Sequence, residues 1–350
     1  MAMSGPAGQT VADERRRAFA VSRSFAFFVA KIAVAATLCG VIIARIDWSA
    51  AWRSLATIGW MPVAGMFAIL TFTFFLSAYK WQILLKVHGI DYPFRKLSKY
   101  YFVAVFLNNF FPTSIGGDGY RICKTFDNGR SKASAIIAIA VERITGFGGL
   151  VLLGAGAAVL LAIDVGREIS PTPLVALLAC VAAPFVALKL RSVVPSRLQN
   201  VPEKLRTLHG TIAEHFDDYV RQPGRSLAIA AISVGFHLGV ACAYLMVLRY
   251  GAEQSITLLE VMTVLAVCTL AAVLPISING LGVFEGTFVY LLSKHGVPAD
   301  VSIIPVVLNR GMLILLSLVG AVAYLLDSSP RRIPGSRSAN SVSVDDSASG

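Results

Sequence analysis

Residues 61–85 read MPVAGMFAILTFTFFLSAYKWQILL, and this stretch contains a single charged side chain, Lys80. A helix that crosses the hydrocarbon core of a bilayer needs roughly 17–25 predominantly apolar residues. The stretch is apolar on every side at the helical period, whereas a surface helix of a soluble protein keeps one polar face. Residues 61–85 are therefore predicted to form a membrane-spanning helix.

Similar apolar stretches recur along the whole chain, at residues 25–44, 134–163, 174–190, 226–248, 258–274 and 301–326. Apolar residues make up 56% of the sequence and charged residues 15%, compared with about 45–50% and about 25% in soluble domains. No small-residue cleavage signal follows residues 25–44, so this stretch is predicted to be an uncleaved first helix. The composition predicts an all-α polytopic membrane protein and excludes an ordinary soluble enzyme.

The formal net charge of +11 raises the question of nucleic-acid binding, and the distribution of the charges argues against it. Of the 31 Lys and Arg residues, 22 lie in residues 1–24, 86–99, 117–132, 189–225 and 327–350. The intervening loops, 45–60, 164–173, 249–256 and 294–300, carry only five. This asymmetry is the positive-inside pattern of membrane proteins, which predicts that both termini are cytoplasmic. The basic character thus indicates topology, and no nucleic-acid partner is expected.

Two apolar segments do not fit a simple succession of spans. Residues 86–99 and 117–132 are both predicted to be cytoplasmic, yet only a short apolar segment separates them. In the same way, 249–256 and 294–300 are both predicted to be external. Irregular backbone at membrane depth is tolerated where protein buries it or where it lines a cavity. We therefore expect about six full spans and two re-entrant hairpins, near 100–119 and 258–294.

The turns of the two hairpins are related in sequence. The first reads PTSIGGDG at 112–119, and the second reads PISINGLG at 275–282. Together with the opposite orientations, this similarity predicts an inverted repeat of 25–163 and 174–326, a construction common in secondary transporters. Ser114, Ser277 and Asn279 are expected to cap helix ends. The predicted turn residues are Pro112, Ser114, Gly117, Gly119, Pro275, Ser277, Gly280 and Gly282.

Two arginines, Arg143 and Arg310, are predicted to lie near the middle of the membrane, where a charged side chain needs a partner or a wet cavity. Guanidinium groups bind phosphate through paired N–H donors, which favours an anionic substrate. The alternative is that the intramembrane arginines and carboxylates pair only with one another. Lys80 is expected to extend toward the membrane surface, and His237 to be a core residue. The candidate substrate-binding residues are Asp118, Arg121, Glu142, Arg143, Glu285 and Arg310.

These residues carry a resemblance to a known family. The sequence contains N-x-x-x-P from Asn108, G-D-x-x-R from Gly117, E-R-x-x-G from Glu142, and P-x-S-x-x-G-L-G-V-x-E from Pro275. This pattern resembles the transmembrane region of bacterial lysylphosphatidylglycerol synthases and the short flippase-like proteins that consist of that region alone. The likeness covers roughly residues 25–326. It implies a bacterial inner-membrane protein that moves phospholipids, hopanoids or polyprenyl-linked lipids between leaflets.

The rest of the chain bears on the choice between transport and catalysis. In the full synthases, a soluble domain that follows the membrane region makes the lipid, and here only a Ser- and Arg-rich tail, 327–350, follows and is expected to be disordered. Residues 196–223 are predicted to form a cytoplasmic amphipathic segment. No catalytic, nucleotide or metal motif is present, so no cofactor or metal is expected. We expect a lipid transporter rather than an enzyme, with membrane lipids and a separately encoded lipid-synthesising enzyme as candidate partners. The alternative is a lipid-modifying enzyme or subunit related to phosphatidylglycerol lysyltransferases.

Overall fold

The computed structural model describes residues 29, 33–34, 36–110, 115–126, 132–164, 218–274 and 276–327. Every regular element within these ranges is helical. The helices are α1 (Ala36–Arg45), α2 (Trp48–Thr57), α3 (Trp60–Val87), α4 (Phe94–Phe110), α5 (Ile115–Phe126), α6 (Lys132–Asp164), α7 (Pro223–Leu245, continued by a π-helical turn, Met246–Gly251), α8 (Leu258–Val273), α9 (Val283–Lys294) and α10 (Ala299–Asp327). A short 3-10 turn, Ile278–Gly280, precedes α9.

Four of the described helices are long and apolar enough to cross a membrane: Trp60–Val87, Ala133–Ile163, Pro223–Tyr250 and Ala299–Leu326. A helix of 28 residues is about 42 Å long, which exceeds the roughly 30 Å of a hydrocarbon core. The chain is therefore a multi-pass helical membrane protein. The predicted span 174–190 lies outside the described residues, as do 25–28, 30–32 and 35 of the predicted first span, the tails and most of the amphipathic segment. The total of six spans therefore stays a prediction.

The outer faces of the long helices carry large apolar side chains that no other part of the described structure covers. In a soluble protein such a surface would be an aggregation liability, whereas hydrocarbon tails are a matching solvent for it. The outward distribution of these side chains supports the membrane assignment. Examples from the middle of α3, α6, α7 and α10 are Phe72, Leu152, Leu238 and Ile314.

Two helical hairpins occupy the predicted positions. Helix α4 packs on α5, and helix α8 packs on α9. Helices α4 and α8 have 17 and 16 residues, which gives each a length of about 25 Å, and α5 and α9 have 12 residues each. Residues 111–114 and 275, at the predicted turns, lie outside the described residues. The lengths suit segments that enter a membrane without crossing it, and the re-entrant orientation itself stays a prediction.

The same succession of helices occurs in both halves, with α4–α5–α6 corresponding to α8–α9–α10. Arg143 lies 11 residues after the start of α6, and Arg310 lies 11 residues after the start of α10. The packing is reciprocal, because α4 of the first half packs on α10 of the second and α8 of the second half packs on α6 of the first. Helix α3 packs on α7, its counterpart. This exchange of partners is compatible with the inverted repeat, which stays a prediction, and it places the hairpins between the long helices.

A glycine permits the close approach of α4 and α10. A Cβ atom at Gly320 would collide with the main-chain carbonyl of Phe102, which cannot move without displacing α4. We expect Gly320→Ala to lower the free energy of unfolding by about 1–3 kcal/mol, as other overpacking substitutions do. Thermal unfolding in detergent would measure this loss. Gly311, on the same helix, is the matched control because its Cβ would meet no atom within 4 Å. Equal melting temperatures for the two alanine variants would contradict the proposed close contact.

Candidate functional site

The four predicted site residues of the first half lie together between α5 and α6. Nη2 of Arg143 donates to Oδ2 of Asp118 at 2.8 Å. Arg121 forms an ion pair with Glu142, and its Nη1 lies 3.5 Å from Oδ1 of Asp118. Two carboxylates and two guanidinium groups thus alternate in one cluster. The structure therefore gives each intramembrane arginine of this half a carboxylate partner.

Arg121 is the buried member of this cluster. The residue is 3% exposed, and its guanidinium carbon lies 4.2 Å from the ring centroid of Trp81 and 5.0 Å from that of Tyr101. Contacts of this type stabilise a cation most strongly when water is excluded. The guanidinium group of Arg121 contacts both carboxylates and both rings, so it holds Asp118 and Glu142 in place. Because Arg121 is buried, a substrate cannot reach it.

Arg143 differs from Arg121 in its accessibility. Its side chain is 57% exposed, and among the described residues it makes one hydrogen bond, to Asp118. A guanidinium carries five N–H donors, so most of the donors of Arg143 remain available. The side chain lines a cavity between α3, α6 and α7. Arg143 can therefore bind an anion in this cavity while Asp118 orients it.

Lys80 is a site residue that the sequence did not identify. Instead of extending to the membrane surface, it is 5% exposed, and its Nζ donates to the main-chain carbonyl of Glu142 at 3.0 Å. It forms no ion pair with a carboxylate of the described residues. Its position seven residues before the end of α3 was compatible with a surface-seeking lysine. Only the packing of α3 on α6 turns the ammonium group inward.

His237 contacts α6 one helical turn after Glu142. Its Nε2 lies 2.9 Å from the main-chain carbonyl of Gly146. Because a carbonyl only accepts, Nε2 is the nitrogen that carries the proton in this contact. The expectation of a core residue with a satisfied hydrogen bond agrees with this geometry. The ring also borders the cavity that Lys80 and Arg143 line.

Two adjacent cavities lie at this site, and they form its polar part and its apolar part. The polar part has a volume of about 200 Å³, and its charged walls are formed by Lys80, Glu142 and Arg143. The adjoining part has a volume of about 230 Å³ and is lined mainly by apolar side chains of α3, α6, α7, α8 and α10. Four residues belong to both walls: Leu150, Phe236, His237 and Thr269. A cavity with charged residues in its wall and a mainly apolar cavity therefore share part of their walls.

The two predicted site residues of the second half, Glu285 and Arg310, form an ion pair with each other. Nε and Nη2 of Arg310 donate to Oε1 of Glu285 at 2.9 and 2.8 Å. Oε2 of Glu285 accepts the N–H of Gly282 at 2.7 Å, directly before α9 begins. The carboxylate is thus occupied on both oxygens and ties the start of α9 to α10. This arrangement favours a structural role for Glu285, the alternative that the sequence had left open.

The acid–arginine pairs of the two halves are equivalent in sequence. Asp118 precedes Arg143 by 25 residues, and Glu285 precedes Arg310 by 25 residues. Each carboxylate lies in the first turn of the second hairpin helix. Counting from the prolines of the two turns would instead place the equivalent arginines four residues apart. The ion pairs therefore align the two halves of the sequence better than the turn motifs do.

The sequence matches the family model of the lysylphosphatidylglycerol synthase TM region over residues 28–320. The chain belongs to this family. The match confirms the resemblance that the motifs indicated, and it includes both charge clusters and both hairpins. No curated protein matches the sequence significantly.

In this member of the lysylphosphatidylglycerol synthase transmembrane family, the hairpin tips contact each other through Asn108. Its Oδ1 accepts the N–H of Gly117 at 2.9 Å, which closes the first hairpin. Its main-chain carbonyl accepts from Nδ2 of Asn279, on the second hairpin, at 3.1 Å. Asn279 was expected to cap a helix, and instead it bridges the two halves with a φ of 50°. Asn108 entered the sequence analysis only through its motif, and its role as a bridge depends on the tertiary contact.

The predicted turn glycines behave differently in the two hairpins. Gly280 and Gly282 have φ values of 68° and 79°, which favour glycine, as the turn requires. Gly117 and Gly119 lie inside α5, because the Asn108 side chain accepts from the backbone there and the helix begins early. A Cβ at Gly117 would collide with α4, whereas one at Gly119 would meet no atom within 4 Å. The structure thus corrects the expectation of equivalent glycine turns.

Three predicted turn residues, Pro112, Ser114 and Pro275, lie outside the described residues. Ser277 is 7% exposed, and its hydroxyl has no hydrogen-bond partner in the described part of the chain, so the expected helix cap is not formed there. Within the same ranges, no three His, Cys, Asp or Glu side chains are grouped as a metal ion would require. The charged groups that the described part of this family member's site contains are guanidinium, ammonium and carboxylate groups.

Proposed function

We propose that this protein moves a lipid with an anionic, phosphate-bearing headgroup between the leaflets of the membrane. The observation that carries the proposal is a cavity with charged walls that lies directly beside an apolar one, with Leu150, Phe236, His237 and Thr269 shared by both walls. An amphiphile needs this combination, since its headgroup requires polar contacts and its chains require apolar ones. Membership of the family, a region associated with lysylphosphatidylglycerol synthesis, agrees with a lipid substrate.

The charges themselves support a substrate role for part of the cluster. Charged residues inside membrane helices carry an energetic penalty, and those that persist usually mark a substrate or ion pathway. Arg121 and Glu142 neutralise each other, whereas Arg143 presents free donors to the cavity. Arginine donors of this kind match the paired oxygens of a phosphate. We therefore propose that the headgroup binds at Arg143 and that the acyl chains extend toward the apolar part.

The packing supports movement between two sides. Helices α6 and α10 each pack on a hairpin helix of the other half, so each hairpin contacts long helices of both halves. In transporters with inverted repeats, the substrate site lies where discontinuous helices meet. The site here is next to the first hairpin, and the hairpin tips meet at Asn108 and Asn279. Opening the two sides in turn would carry a headgroup past this contact.

The proposal is tested by filling the cavity. Gly146 lines the polar part, and its Cβ would meet only Nζ of Lys80, at 3.8 Å. We expect Gly146→Trp to reduce lipid movement at least about tenfold, because the indole would occupy the space of the headgroup. The rate is measured in vesicles with the purified protein, as the accessibility of a fluorescent phosphatidylglycerol to an external quencher. The lipid is then extracted to verify that it is chemically unchanged.

Gly156→Trp is the matched control. Gly156 lies on the same helix, and its Cβ would meet no atom within 4 Å. Because it lines neither part of the cavity, this variant should move lipid at the wild-type rate. Equal rates for the two tryptophan variants, with both proteins folded, would reject the cavity as the path. Recovery of a covalently altered lipid would instead favour a lipid-modifying enzyme.

A further inference from the structure

We propose that the polar cavity selects headgroups with a single negative charge and that Lys80 is the counter-ion of that charge. This inference rests on the proposed function and names the class of lipid that the site takes. It starts from the charges around the cavity, which do not balance. Among the residues that the structure describes, three cations, Lys80, Arg121 and Arg143, face two carboxylates, Asp118 and Glu142.

The unbalanced charge belongs to Lys80. Arg121 and Arg143 each have a carboxylate partner within the cluster. The ammonium of Lys80 instead donates to a main-chain carbonyl, that of Glu142, which carries no formal charge. An ammonium has three N–H donors, so two remain for another acceptor. A buried charge without an opposite charge is unfavourable, and an anion bound beside Lys80 would relieve this penalty.

The charge balance favours an anion with a charge of about −1. A phosphodiester headgroup without a cationic group brings one negative charge, which neutralises the cluster. A phosphate monoester carries about −1.5 to −2 at pH 7 and would leave an excess negative charge. A zwitterionic headgroup would bring a further cation next to Lys80 and Arg143. Neutrality in a medium of low dielectric therefore favours the monoanionic phosphodiester.

The apolar part of the cavity identifies the source of the phosphate as a lipid. It shares Leu150 and Phe236 with the polar part, so a headgroup at Lys80 leaves its acyl chains next to an apolar wall. A soluble phosphate would leave this space without a matching group. Arg143 and Lys80 line the same polar part, and together they can contact different oxygens of one phosphate.

Vesicles that contain both fluorescent phosphatidylglycerol, a monoanion, and fluorescent phosphatidylcholine, a zwitterion, test the proposal. We expect the wild-type protein to move phosphatidylglycerol faster. In Lys80→Met, the phosphatidylglycerol rate should fall at least about tenfold, because a hydrogen bond to a charged group is lost, and the ratio of the two rates should approach one. Lys80→Arg retains the charge and should keep part of the preference. Lys86→Met is the matched control, since Lys86 is an exposed lysine of the same helix.

The outcomes separate this inference from the proposed function. If the wild-type protein moves neither lipid, the proposed function fails. If it moves both at equal rates, or if Lys80→Met keeps the wild-type preference, lipid movement stands and the role of Lys80 fails. A measurement on the wild-type protein alone avoids any folding defect of the variant: in mixed micelles, phosphatidylglycerol should raise the melting temperature more than phosphatidylcholine does. An equal rise with inorganic phosphate would show that a free anion suffices, and would overturn the lipid headgroup as the ligand.

Discussion

Replacing Arg143 with alanine is expected to reduce lipid movement by about ten- to a hundredfold while the protein stays folded. The side chain is 57% exposed and holds donors that the described residues leave free, so its loss removes substrate contacts worth about 1.5–3 kcal/mol. Asp118 would keep Arg121 as a neighbour at 3.5 Å, so no carboxylate is left without a cation. Arg143→Lys should also damage function, because an ammonium cannot reproduce the guanidinium fork.

Transport rates in vesicles and melting temperatures in detergent measure the two parts of this expectation separately. Arg53→Ala, which removes an exposed arginine of α2, controls for the general loss of a positive charge. A large loss of stability in Arg143→Ala would assign the arginine to the fold rather than to the substrate. Normal transport in a stable variant would remove Arg143 from the site altogether.

Replacing Arg121 with alanine is expected to destabilise the protein by about 3–5 kcal/mol, the usual effect of removing one partner of a buried ion pair. Arg121 is 3% exposed and pairs with Glu142, whose side chain is 11% exposed. Its removal leaves Glu142 buried without this cation and also empties the space next to Trp81. The melting temperature and the yield of folded protein in mild detergent are the direct measurements.

A double substitution distinguishes two causes of the lost stability: the unpaired charge of Glu142 and the missing side-chain volume of Arg121. Arg121→Met combined with Glu142→Gln removes both charges and retains much of the side-chain volume, so it should recover part of the stability that Arg121→Met loses alone. The coupling between the two sites is obtained from the two single variants and the double variant. Additive effects, with no recovery, would contradict the assignment of Arg121 and Glu142 as a buried ion pair.

The candidate site was predicted in part. Asp118, Arg121, Glu142 and Arg143 were named from the sequence because charged residues are rare in apolar segments, and the structure brings all four together. Their different roles could not be predicted, since neighbouring positions on a helix point about 100° apart. Glu142 turns toward the buried Arg121, whereas Arg143 turns toward Asp118 and the cavity.

The contact that Lys80 makes could not be predicted from the sequence either. It lies 62 residues before Glu142, the residue whose carbonyl it contacts, and no spacing rule connects two side chains over such a separation. Its direction is set by how α3 is rotated against α6 and α7. The bridge between Asn108 and Asn279 spans 171 residues and depends on the packing of the two hairpins in the same way.

The sequence by itself determined the helical membrane fold and the family, because length, apolarity and local motifs are properties of continuous segments. It also predicted the positions of two pairs of packed short helices. The tertiary structure alone decided which carboxylate pairs with which arginine, that Gly119 lies within a helix, and that a charged cavity adjoins an apolar one. These features arise where side chains of different helices meet. The rotation and register of packed helices depend on the fit of whole surfaces, which no single segment of the chain encodes.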